Sequence, residues 1–508
     1  MRQEKVKSIS ELAQLTNSLR QQGKTIVLAH GVFDLVHMGH VRHFKAARQE
    51  GDVLIVTITA DKFVNKGPGR PIFNDVIRSE MLAAIECVDY VGISHNPSSE
   101  IILDSLRPNV YVKGSDYENP EDDITGKIKV EKDTVERHGG RLVFTKDITF
   151  SSSTLINSFL DVYDRPLQDY LNSHRDNDTI TEILSLIEQI RDYRVLLVGD
   201  SIIDEYLYVE PMGKAAKENI IATKFCNREV FAGGVFAAAN HVASFCKEVE
   251  IVTAIGEDDS YEDFIRSQLK PNVKLTVLRR PDKPTTRKTR YIDTSYTRKL
   301  FEVYSFDDAP LEDNLEEQFQ DIIDERAPKC DVTIATDFGH GLISRNSIVL
   351  LGQKAKFLAV NTQTNSANHG FNLISRYPKA DFVCIDEPEA RMAVRDRFSS
   401  IESVISEGLP NLLNCEKFIV THGRYGCVTF EGAGAISNIP AFTKTVVDTV
   451  GAGDAFLAVT APLAAAGGRI DIVGFVGNAA GALKVGIVGH RQSIEKVSLV
   501  KFVTTLLK

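Results

Sequence analysis

A chain of 508 residues exceeds what one compact core usually holds, so its length indicates two or three domains. With 43% hydrophobic and 25% charged residues the composition is typical of a globular protein, and no apolar run approaches the roughly 20 residues of a membrane span. The net charge of −10 argues against nonspecific nucleic-acid binding, so an anionic substrate has to be held by local lysines, arginines or backbone amides.

The seven cysteines are scattered, with no CxxC pair and no spacing that is typical of a metal site. This usage is typical of reduced thiols in a cytosolic protein. The opening residues MRQEKVKSIS contain no apolar core of a signal peptide. We therefore expect a cytoplasmic protein whose partners include neither a membrane nor a nucleic acid.

Residues 24–160 alternate short apolar runs with amphipathic ones. The pattern predicts five elements in order: a strand at 26–29, a helix over 41–50 closed by Gly51, a strand at 53–59, a helix capped by Asn74 and extending to Glu86, and a strand near 90–93. Such alternation is typical of a doubly wound parallel sheet. We therefore expect an α/β domain over residues 1–160.

The second half begins after a polar segment. Residues 161–178 are rich in turn-forming residues, which predicts a linker, and a helix is predicted over 179–191 with a capping box formed by Thr179 and Glu182. A new α/β pattern then predicts strands at 195–200, 332–335, 357–360, 382–385 and 418–420. No internal repeat relates the two halves, so we expect a linker and helix over 161–192 and a different domain over 193–508.

The segment HGVFDLVHMGH, residues 30–40, places two histidines where a strand ends and a helix begins. Free backbone N–H groups and the helix dipole favour anions at such a point. Gly39 lets phosphates approach the backbone, and His37 and His40 can donate hydrogen bonds to phosphate oxygens as charge builds on them. The spacing alone leaves open an incidental pair or two metal ligands, although no third ligand is evident.

The longer stretch GVFDLVHMGH resembles the signature of the nucleotidyltransferase superfamily, which includes cytidylyltransferases and the adenylyltransferase domains of heptose-activating enzymes. Three further elements resemble that superfamily in the same order: Lys66 with Gly69-Arg70-Pro71, the segment VKGSDY at 112–117, and Ser151-Ser152-Ser153-Thr154. The resemblance implies a Rossmann-like domain that joins a nucleoside triphosphate to a sugar or polyol phosphate and releases pyrophosphate.

The same resemblance implies roles for individual residues. The catalytic residues would be His37 and His40, which stabilise charge on the transferring α-phosphate, and Lys66, which with Arg70 or Lys113 neutralises the remaining phosphate charge. The residues expected to contact the nucleotide or its phosphates are Gly31, Phe33, Asp34, Gly39, Arg70, Lys113, Ser151, Ser152, Ser153 and Thr154. A turn or helix-cap role stays open for Asp34, and Arg78 is either a solvated helix charge or a binding residue.

A second motif, DTVGAGDAF at 448–456, places three small residues before an apolar run. Successive amides at a helix N-terminus can form an anion hole for a transferring phosphoryl group. Asp454 directly after them is placed to take a proton from a hydroxyl nucleophile. A glycine-rich helix start with a capping aspartate is the alternative interpretation of the motif alone.

With its flanking residues this motif resembles the C-terminal signature of the ribokinase-like (PfkB) sugar kinases, and the resemblance extends over 194–508. It implies an αβα sandwich with a small β-lid from 206–230 or 274–304, ATP as the phosphoryl donor, Mg²⁺ as the cofactor and a homodimer. The resemblance implies that Asp454 is the general base and that the anion hole is formed by Gly451, Ala452 and Gly453. The residues implied to contact the nucleotide are Thr421, Gly423, Gly426 and Asn478, and those implied to contact the sugar are Asp204, Gly233, Gly234, Asn240, Lys288 and Arg290. The implied metal ligands are Glu389 and Asp386.

Three positions depart from the kinase pattern. Asp386 replaces an asparagine, Asn361-Thr362-Gln363 replaces an Asp-Pro element, and His340 replaces a lysine. Each changes the charge near the expected ATP phosphates or metal. The departures leave open an active kinase or a degenerate domain that only binds a ligand.

Taken together, the two halves resemble the family of bifunctional heptose 7-phosphate kinase/heptose 1-phosphate adenylyltransferases, whose usual order has the kinase first. The resemblance implies phosphorylation of the anomeric hydroxyl of heptose 7-phosphate and formation of an NDP-sugar such as ADP-heptose. The alternatives are the same chemistry on another sugar or polyol phosphate with CTP as the nucleotidyl donor, or an active transferase with a regulatory second domain.

Overall fold

The computed structural model describes residues 5–114, 127–145, 152–159, 162–175, 177–295, 298–432 and 434–508. The chain folds as two compact units. The first comprises Met1–Leu171 with Val500–Lys508, and the second comprises Asn172–Leu499. The sequence pattern did not indicate that the last segment groups with the first unit.

The first unit contains a parallel sheet. Its strands within the described residues are β1 (Val6–Lys7), β2 (Ile26–Gly31), β3 (Val53–Thr59), β4 (Tyr90–Ser94), β5 (Val110–Gly114) and β6 (Arg141–Thr145). Their order is β1-β4-β3-β2-β5-β6 and every neighbouring pair is parallel. The central strands β2 and β3 are buried almost throughout because helices cover both faces of the sheet. The predicted Rossmann-like fold class is confirmed.

The described helices of this unit connect successive strands. They are α1 (Ile9–Gln21), α2 (Met38–Gln49), α3 (Asp75–Ala83), α4 (Ser99–Leu106), α5 (Lys127–Arg137), α6 (Ser152–Phe159) and α7 (Arg165–Ser173), whose last residues fall in the second unit. Helix α2 begins three residues before the predicted start because His37 is its N-cap. Asn74 caps α3 as predicted, but α3 ends before Glu86, since Asp89 binds the backbone of Leu54 and draws the chain into β4.

Two predictions around the boundary between the halves were wrong. Helix α7 occupies part of the segment 161–178, where turns were expected, because Leu167 and Leu171 lie four residues apart on one face and are buried. The next helix, α8 (Asn177–Gln189), starts two residues before Thr179, so Thr179 lies inside the helix and is not its N-cap. Asp178 in the first turn is favoured there by the helix dipole.

The second unit is built on a mixed sheet. Its strands within the described residues are β7 (Arg194–Gly199), β10 (Glu248–Asp258), β11 (Val273–Pro284), β14 (Val332–Asp337), β15 (Leu358–Thr362), β16 (Phe382–Asp386), β17 (Lys417–Thr421), β18 (Cys427–Glu431) and β19 (Ala435–Ile439). The order is β11-β10-β7-β14-β15-β16-β17-β18-β19, parallel up to β17 and antiparallel beyond it.

A smaller sheet forms the predicted lid. It is made of β8 (Ser201–Lys214), β9 (Ile221–Gly234), β12 (Arg287–Asp293) and β13 (Arg298–Ser305), in the order β13-β12-β8-β9. Both candidate segments therefore contribute to the lid. Strands β8 and β12 pair in parallel, which sets Asp204 opposite Lys288.

The remaining described helices follow in chain order, and the last of them, over residues 496–507, lies mostly in the first unit. They are α9 (Val235–Val242), α10 (Glu262–Gln268), α11 (Asp313–Arg326), α12 (Arg345–Lys354), α13 (Glu387–Val394), α14 (Ile401–Ser403), α15 (Ala452–Ala465), α16 (Ile470–Lys484) and α17 (Lys496–Leu507). Helix α15 packs against α9 and α16 and is buried over 454–464, so it is a core helix. The predicted αβα sandwich is confirmed. Across the described ranges no helix combines the length and the apolar character needed to cross a membrane.

Arg78 on α3 is fully buried, so the interpretation as a solvated helix charge was wrong. Its guanidinium donates to the carbonyls of Val32 at 2.5 Å, of Phe73 at 2.8 Å and of Thr59 at 2.8 Å. It also binds Asp61 Oδ1 at 2.6 Å. The side chain therefore ties the ends of β2 and β3 to the segment before α3.

We predict that Arg78→Met destabilises the first unit by about 3 kcal/mol, because three buried carbonyls and a carboxylate lose their donor. Hydrogen–deuterium exchange measures this locally, and protection of β2 and β3 should fall about 100-fold. Arg137→Met, at a side chain that is 62% exposed, is the matched control and should leave protection unchanged. Equal protection in wild type and Arg78→Met would contradict the anchoring role.

Candidate functional site

In the first unit, the two motif histidines lie at the start of α2. His37 Nδ1 accepts a hydrogen bond from the Gly39 N–H at 3.1 Å, and His40 Nδ1 accepts from the His37 N–H at 3.4 Å. The two ring centroids are 4.0 Å apart. Each neutral ring therefore carries its proton on Nε2, and His37 Nε2 is buried without a partner among the described residues.

Burial keeps both imidazoles neutral. It lowers the pKa of His40 to about 3, with smaller contributions from His37, His43 and Lys66, and it lowers the pKa of His37 as well. The pair can therefore offer neutral N–H donors to an anion.

Phe33 and Gly31 shape the site. Phe33 adopts a left-handed conformation with φ of 49°, and its ring lies 5.2 Å from the His40 ring in an edge-on contact. A Cβ atom at Gly31 would lie 3.1 Å from the Phe33 ring. Glycine at position 31 therefore leaves room for the Phe33 ring.

Asp34 holds the basic segment in place. Its Oδ1 accepts hydrogen bonds from the N–H groups of Ile72 at 2.7 Å and Phe73 at 3.2 Å, and its Oδ2 lies 3.5 Å from Arg70 Nη1. Arg70 also donates to Asn157 Oδ1 at 2.7 Å. These contacts favour the structural alternative for Asp34 and leave direct nucleotide binding to its neighbours.

Lys66 is partly exposed and belongs to the same group of charges. Burial lowers the pKa of Lys66 to about 8, Arg70, Lys501 and Lys508 lower it further, and Asp34 opposes them. Because Lys66 also influences His40, the structure brings the predicted transferase residues Lys66, His37 and His40 into one region.

Of the other residues predicted to contact phosphate, some bind protein groups and some lie outside the described residues. Lys113 Nζ forms an ion pair with Glu131 at 2.9 Å, and Ser152 Oγ donates to the Leu35 carbonyl at 3.1 Å. Ser153 is buried and Thr154 lies on the same helix, α6. Ser151 and residues 115–117 of the VKGSDY element lie outside the described residues.

In the second unit, the small residues of the DTVGAGDAF motif start α15. Gly451 is the N-cap with φ of 75°, a conformation that favours glycine, and a Cβ there would lie 2.5 Å from the His490 ring. Ala452 and Gly453 form the first turn, where amide groups have no partner within the helix, and the Ala452 N–H donates to the Thr449 carbonyl at 3.2 Å. Asp454 follows them and is buried.

Asp454 has one protein donor among the described residues, Gln363 Nε2 at 3.1 Å from its Oδ1. Burial raises the pKa of Asp454, the Asp204 charge adds to this, and His490, Lys484 and Lys288 oppose it. A carboxylate with a raised pKa is a better proton acceptor than an exposed aspartate.

Asp204 on β8 is buried between two cationic or donor groups. Arg290 Nη1 donates to its Oδ1, and His490 Nε2 lies 3.1 Å from its Oδ2. Burial alone would raise the pKa of Asp204, but Arg290 and His490 hold it below the usual range, so the carboxylate is ionised. A Cβ at Gly233 would lie 2.0 Å from Asp204 Oδ2, so this glycine makes room for the carboxylate, and the next residue, Gly234, is the N-cap of α9.

Arg290 and Lys288 both lie on β12, but only one of these cations is already paired with carboxylates of the protein. Arg290 is compensated by Asp204 and by Glu302, whose Oε1 lies 3.0 Å from the arginine Nε. The buried Lys288 ammonium lies 5.6 Å from the Tyr304 ring and has no hydrogen bond or ion pair within the described part of the chain. Burial lowers the pKa of Lys288. Lys288 is thus the cation beside Asp204 that is available to a ligand.

Two predicted contacts have their amides bound to the backbone. Asn240 donates to the Gln268 carbonyl at 2.9 Å and accepts from the Lys270 N–H at 3.0 Å. Asn478 donates to the Pro440 carbonyl at 2.8 Å. The structure shows anchoring contacts for both, and ligand contacts for them stay predictions.

The predicted nucleotide turn joins β17 and β18. Thr421 ends β17 and Gly423 begins the turn. Gly426 has φ of 99°, and a Cβ there would lie 1.9 Å from the Ile439 carbonyl oxygen, so only glycine fits.

Asp386 and Glu389 form the N-terminal capping box of α13. Asp386 Oδ1 accepts from the Glu389 N–H at 2.9 Å, and Glu389 Oε2 accepts from the Asp386 N–H at 3.0 Å. The Thr364 N–H donates to Glu389 Oε1 at 2.9 Å. Among the residues described, no cluster of three or more His, Cys, Asp or Glu side chains could hold a metal. The pair therefore fits an Mg²⁺ ion only if phosphate oxygens and water complete the shell, as is common for Mg²⁺.

Three further residues of this site were not predicted as site residues, and only His490 among them lacked any sequence signal. Gln363, noted only as a departure, donates to Asp454. His490 lies in a short GHRQS segment far along the chain from both aspartates that it influences. His340 is buried, with both ring nitrogens lacking a partner in the described structure, and burial lowers its pKa to about 3.

Comparison with known proteins assigns a family to each half. Residues 193–497 match the family described as pfkB family carbohydrate kinase, and residues 28–159 match the family described as cytidylyltransferase-like. The kinase region follows the transferase region.

Curated relatives match the transferase region. "Bifunctional protein HldE" of Syntrophotalea carbinolica is 38% identical over 29% of this chain and 29% of its own length. The protein of the same name from Geobacter metallireducens is 36% identical over 31% and 32%. The chain therefore spans about a third of the length of these relatives.

Among solved structures, the tetrameric inhibited form of phosphofructokinase-2 from Escherichia coli superposes with a TM-score of 0.51 at 12% identity. The match covers 62% of this chain and all of that chain. At this identity the similarity establishes the fold of the second unit.

We predict that Glu389 makes stability fall as pH rises. Burial, followed by the neighbouring Asp386 charge, raises the pKa of Glu389 from 4.5 to about 8, so the folded protein holds a proton that the unfolded chain releases near pH 4.5. The associated stability is present below the unfolded pKa and is lost as pH approaches about 8. Between about pH 5.5 and about pH 8.5, Tm of wild type should fall about 3 °C more than Tm of Glu389→Gln.

Scanning calorimetry measures this difference. Glu407→Gln, at an exposed position, is the control and should follow wild type. Parallel pH profiles for wild type and Glu389→Gln would show that Glu389 titrates like an exposed glutamate.

Proposed function

The chain belongs to the pfkB family of carbohydrate kinases, and from this premise we propose that it is a bifunctional enzyme of nucleotide-sugar synthesis. The second unit phosphorylates a sugar with ATP, and the first unit transfers a nucleotidyl group to a sugar 1-phosphate. The observation that carries the proposal is the pair of buried aspartates in the second unit. Asp454 directly follows the small residues that begin α15, and the ionised Asp204 lies near enough for its charge to raise the pKa of Asp454.

In the kinase reaction the attacking group is a sugar hydroxyl. Asp204 accepts hydrogen bonds from the sugar and orients it, and Asp454 takes the proton of the attacking hydroxyl. The sugar oxygen bonds to the γ-phosphorus while the bond to the β–γ bridging oxygen breaks, and ADP leaves. The amides of 451–453 stabilise the negative charge on the transferred group.

Bound Mg²⁺ would screen the charge of the ATP phosphates. Asp386 and Glu389 are the residues proposed to hold it; Asp386 Oδ2 takes no part in the capping box, whereas both oxygens of Glu389 already accept a backbone N–H. Thr421, Gly423 and Gly426 are proposed to line the nucleotide side.

A phosphorylated sugar is the proposed kinase substrate. The Lys288 ammonium lies beside Asp204 without a counterion among the described residues, while Arg290 is already compensated. A lone buried cation in a sugar site is suited to a second anionic group on the substrate. Heptose 7-phosphate, phosphorylated at its anomeric hydroxyl, is the proposed substrate because the two halves together resemble the bifunctional heptose-activating enzymes.

In the transferase reaction an oxygen of the sugar 1-phosphate attacks the α-phosphorus of the nucleoside triphosphate, and pyrophosphate leaves. His37 and His40 donate hydrogen bonds from Nε2 to the α-phosphate, and Lys66 supplies positive charge. ATP is the proposed donor and would give ADP-heptose. CTP with another sugar or polyol phosphate is the alternative, and a regulatory second unit is the alternative to kinase activity.

A homodimer paired through the lid is part of the proposal. The lid carries exposed apolar side chains: Met212, Ile221, Phe225, Phe301 and Val303. Exposed apolar groups on one small sheet are typical of a protein interface.

We predict that the two activities separate by mutation. Purified protein is given Mg-ATP with D-glycero-D-manno-heptose 7-phosphate or with the corresponding 1-phosphate, and ADP and pyrophosphate are measured. Asp454→Asn should lower ADP formation about 1,000-fold, because the general base is lost, and leave pyrophosphate release within about twofold. His40→Asn should lower pyrophosphate release about 100-fold and spare ADP formation.

Asp471→Asn, in an ion pair with Arg469 at the surface of the same unit, is the matched control and should affect neither product. ADP formation from other sugars but not from the heptose phosphate would reject the substrate. Absence of phosphorylation of every sugar tested would favour the regulatory alternative. Faster pyrophosphate release from CTP than from ATP would reject ADP-heptose as the product.

We predict a second effect of pH, in the transferase. Since the pKa of Lys66 is about 8, its ammonium loses its proton as pH rises through that value, and pyrophosphate release should decline. Lys66→Arg keeps its charge, so its rate should stay level over the same range. The exposed Lys62→Arg is the control and should decline like wild type. A level wild-type profile would mean that the charge of Lys66 is not needed.

A further inference from the structure

Lys484, the last residue of α16, is fully buried. Its Nζ donates to the carbonyl oxygens of Val450 at 2.8 Å and Gly489 at 2.6 Å. Across the described residues no carboxylate lies within 4.0 Å of this ammonium. Burying a charge without a direct counterion costs folding free energy, so a buried ammonium at this position suggests a functional role.

The two carbonyl groups belong to the turns that build the kinase site. Val450 directly precedes Gly451, the N-cap of α15, and Gly489 directly precedes His490, the partner of Asp204. A Cβ at Gly451 would lie 3.3 Å from Lys484 Cε, so the lysine lies directly behind the anion hole.

Asp448 joins the same turns by a second route. Its Oδ2 accepts from the Gly489 N–H at 2.8 Å, and its Oδ1 accepts from the Val450 N–H at 3.2 Å. The carboxylate thus binds the N–H groups of the two residues whose carbonyl groups bind the ammonium. Positive charge at Nζ and negative charge at Asp448 together fix the distance between the turns.

Carbonyl oxygens at 2.6–2.8 Å around a single positive charge are also the surroundings that a dissolved potassium ion takes when it sheds its water. We propose that Lys484 is a built-in monovalent cation, which positions the anion hole and supplies positive charge behind it. The kinase then works without a dissolved monovalent cation. For its activity readout this inference rests on the proposed kinase function.

Two substitutions at this position separate charge from volume. Lys484→Ala removes the ammonium and leaves space for an ion between the two carbonyl groups. Lys484→Met fills the space with an apolar chain and leaves no room for an ion. ADP formation and Tm are measured in chloride salts of K⁺, NH₄⁺, Na⁺ and tetramethylammonium at equal ionic strength, with tetramethylammonium as the ion too large to enter.

Wild type should vary less than about twofold in ADP formation among the four salts. Lys484→Ala should lose about 100-fold in tetramethylammonium and recover at least about tenfold in K⁺ or NH₄⁺. Lys484→Met should lose as much and recover in none of the salts. Tm of Lys484→Ala should rise in K⁺ relative to tetramethylammonium, while Tm of wild type should not.

Strong stimulation of wild type by K⁺ would overturn the inference, because the ammonium would then not replace a dissolved ion. Absence of any K⁺ effect on Tm and on ADP formation of Lys484→Ala would also overturn it and leave Lys484 a packing residue. Should wild type phosphorylate no sugar, the proposed function fails, and the K⁺ effect on Tm of Lys484→Ala still decides whether the carbonyl groups form a cation site. Should Lys484→Ala not fold, the response of wild type to the four salts decides.

Discussion

The ionised carboxylate of Asp204, held between Arg290 and His490, is the constraint on which the proposed kinase site depends. A buried aspartate would otherwise take up a proton, and it would then be a weaker acceptor for sugar hydroxyls. The partners come from different parts of the chain, since Arg290 lies on the lid strand β12 and His490 follows α16. Their shared carboxylate therefore joins the lid to the phosphate end of the site.

A second buried carboxylate, that of Asp448, also joins the lid to the turns beside α15. Asp448 accepts hydrogen bonds from the Tyr206 hydroxyl at 2.6 Å and from Lys299 Nζ at 3.0 Å, both in the lid sheet. It also binds the N–H groups of Val450 and Gly489 in the turns that flank the anion hole. The lid sheet is thus connected through buried charges to the turns that flank the proposed anion hole, which favours a proposed sugar site and an anion hole that form together.

Regular elements and motif positions could be predicted from the sequence because they depend on local patterns. The run VLIVTIT predicts β3 with its exact bounds, since a strand buried on both faces is apolar throughout. The burial of Arg78 could not be predicted, because its four acceptors lie on three separate segments. The roles of His490 and Lys484 could not be predicted for the same reason, because only the folded chain brings these side chains next to Gly451.

We propose that Asp204 holds Arg290 and leaves Lys288 as the cation that recognises a substrate phosphate. The most direct test compares kcat/KM for heptose 7-phosphate with kcat/KM for heptose, in wild type, Lys288→Met and Arg290→Met. Lys288→Met should lower the preference for the phosphorylated sugar roughly tenfold or more, and Arg290→Met should lower kcat/KM for both sugars alike. A preference that persists in Lys288→Met and disappears in Arg290→Met would contradict it.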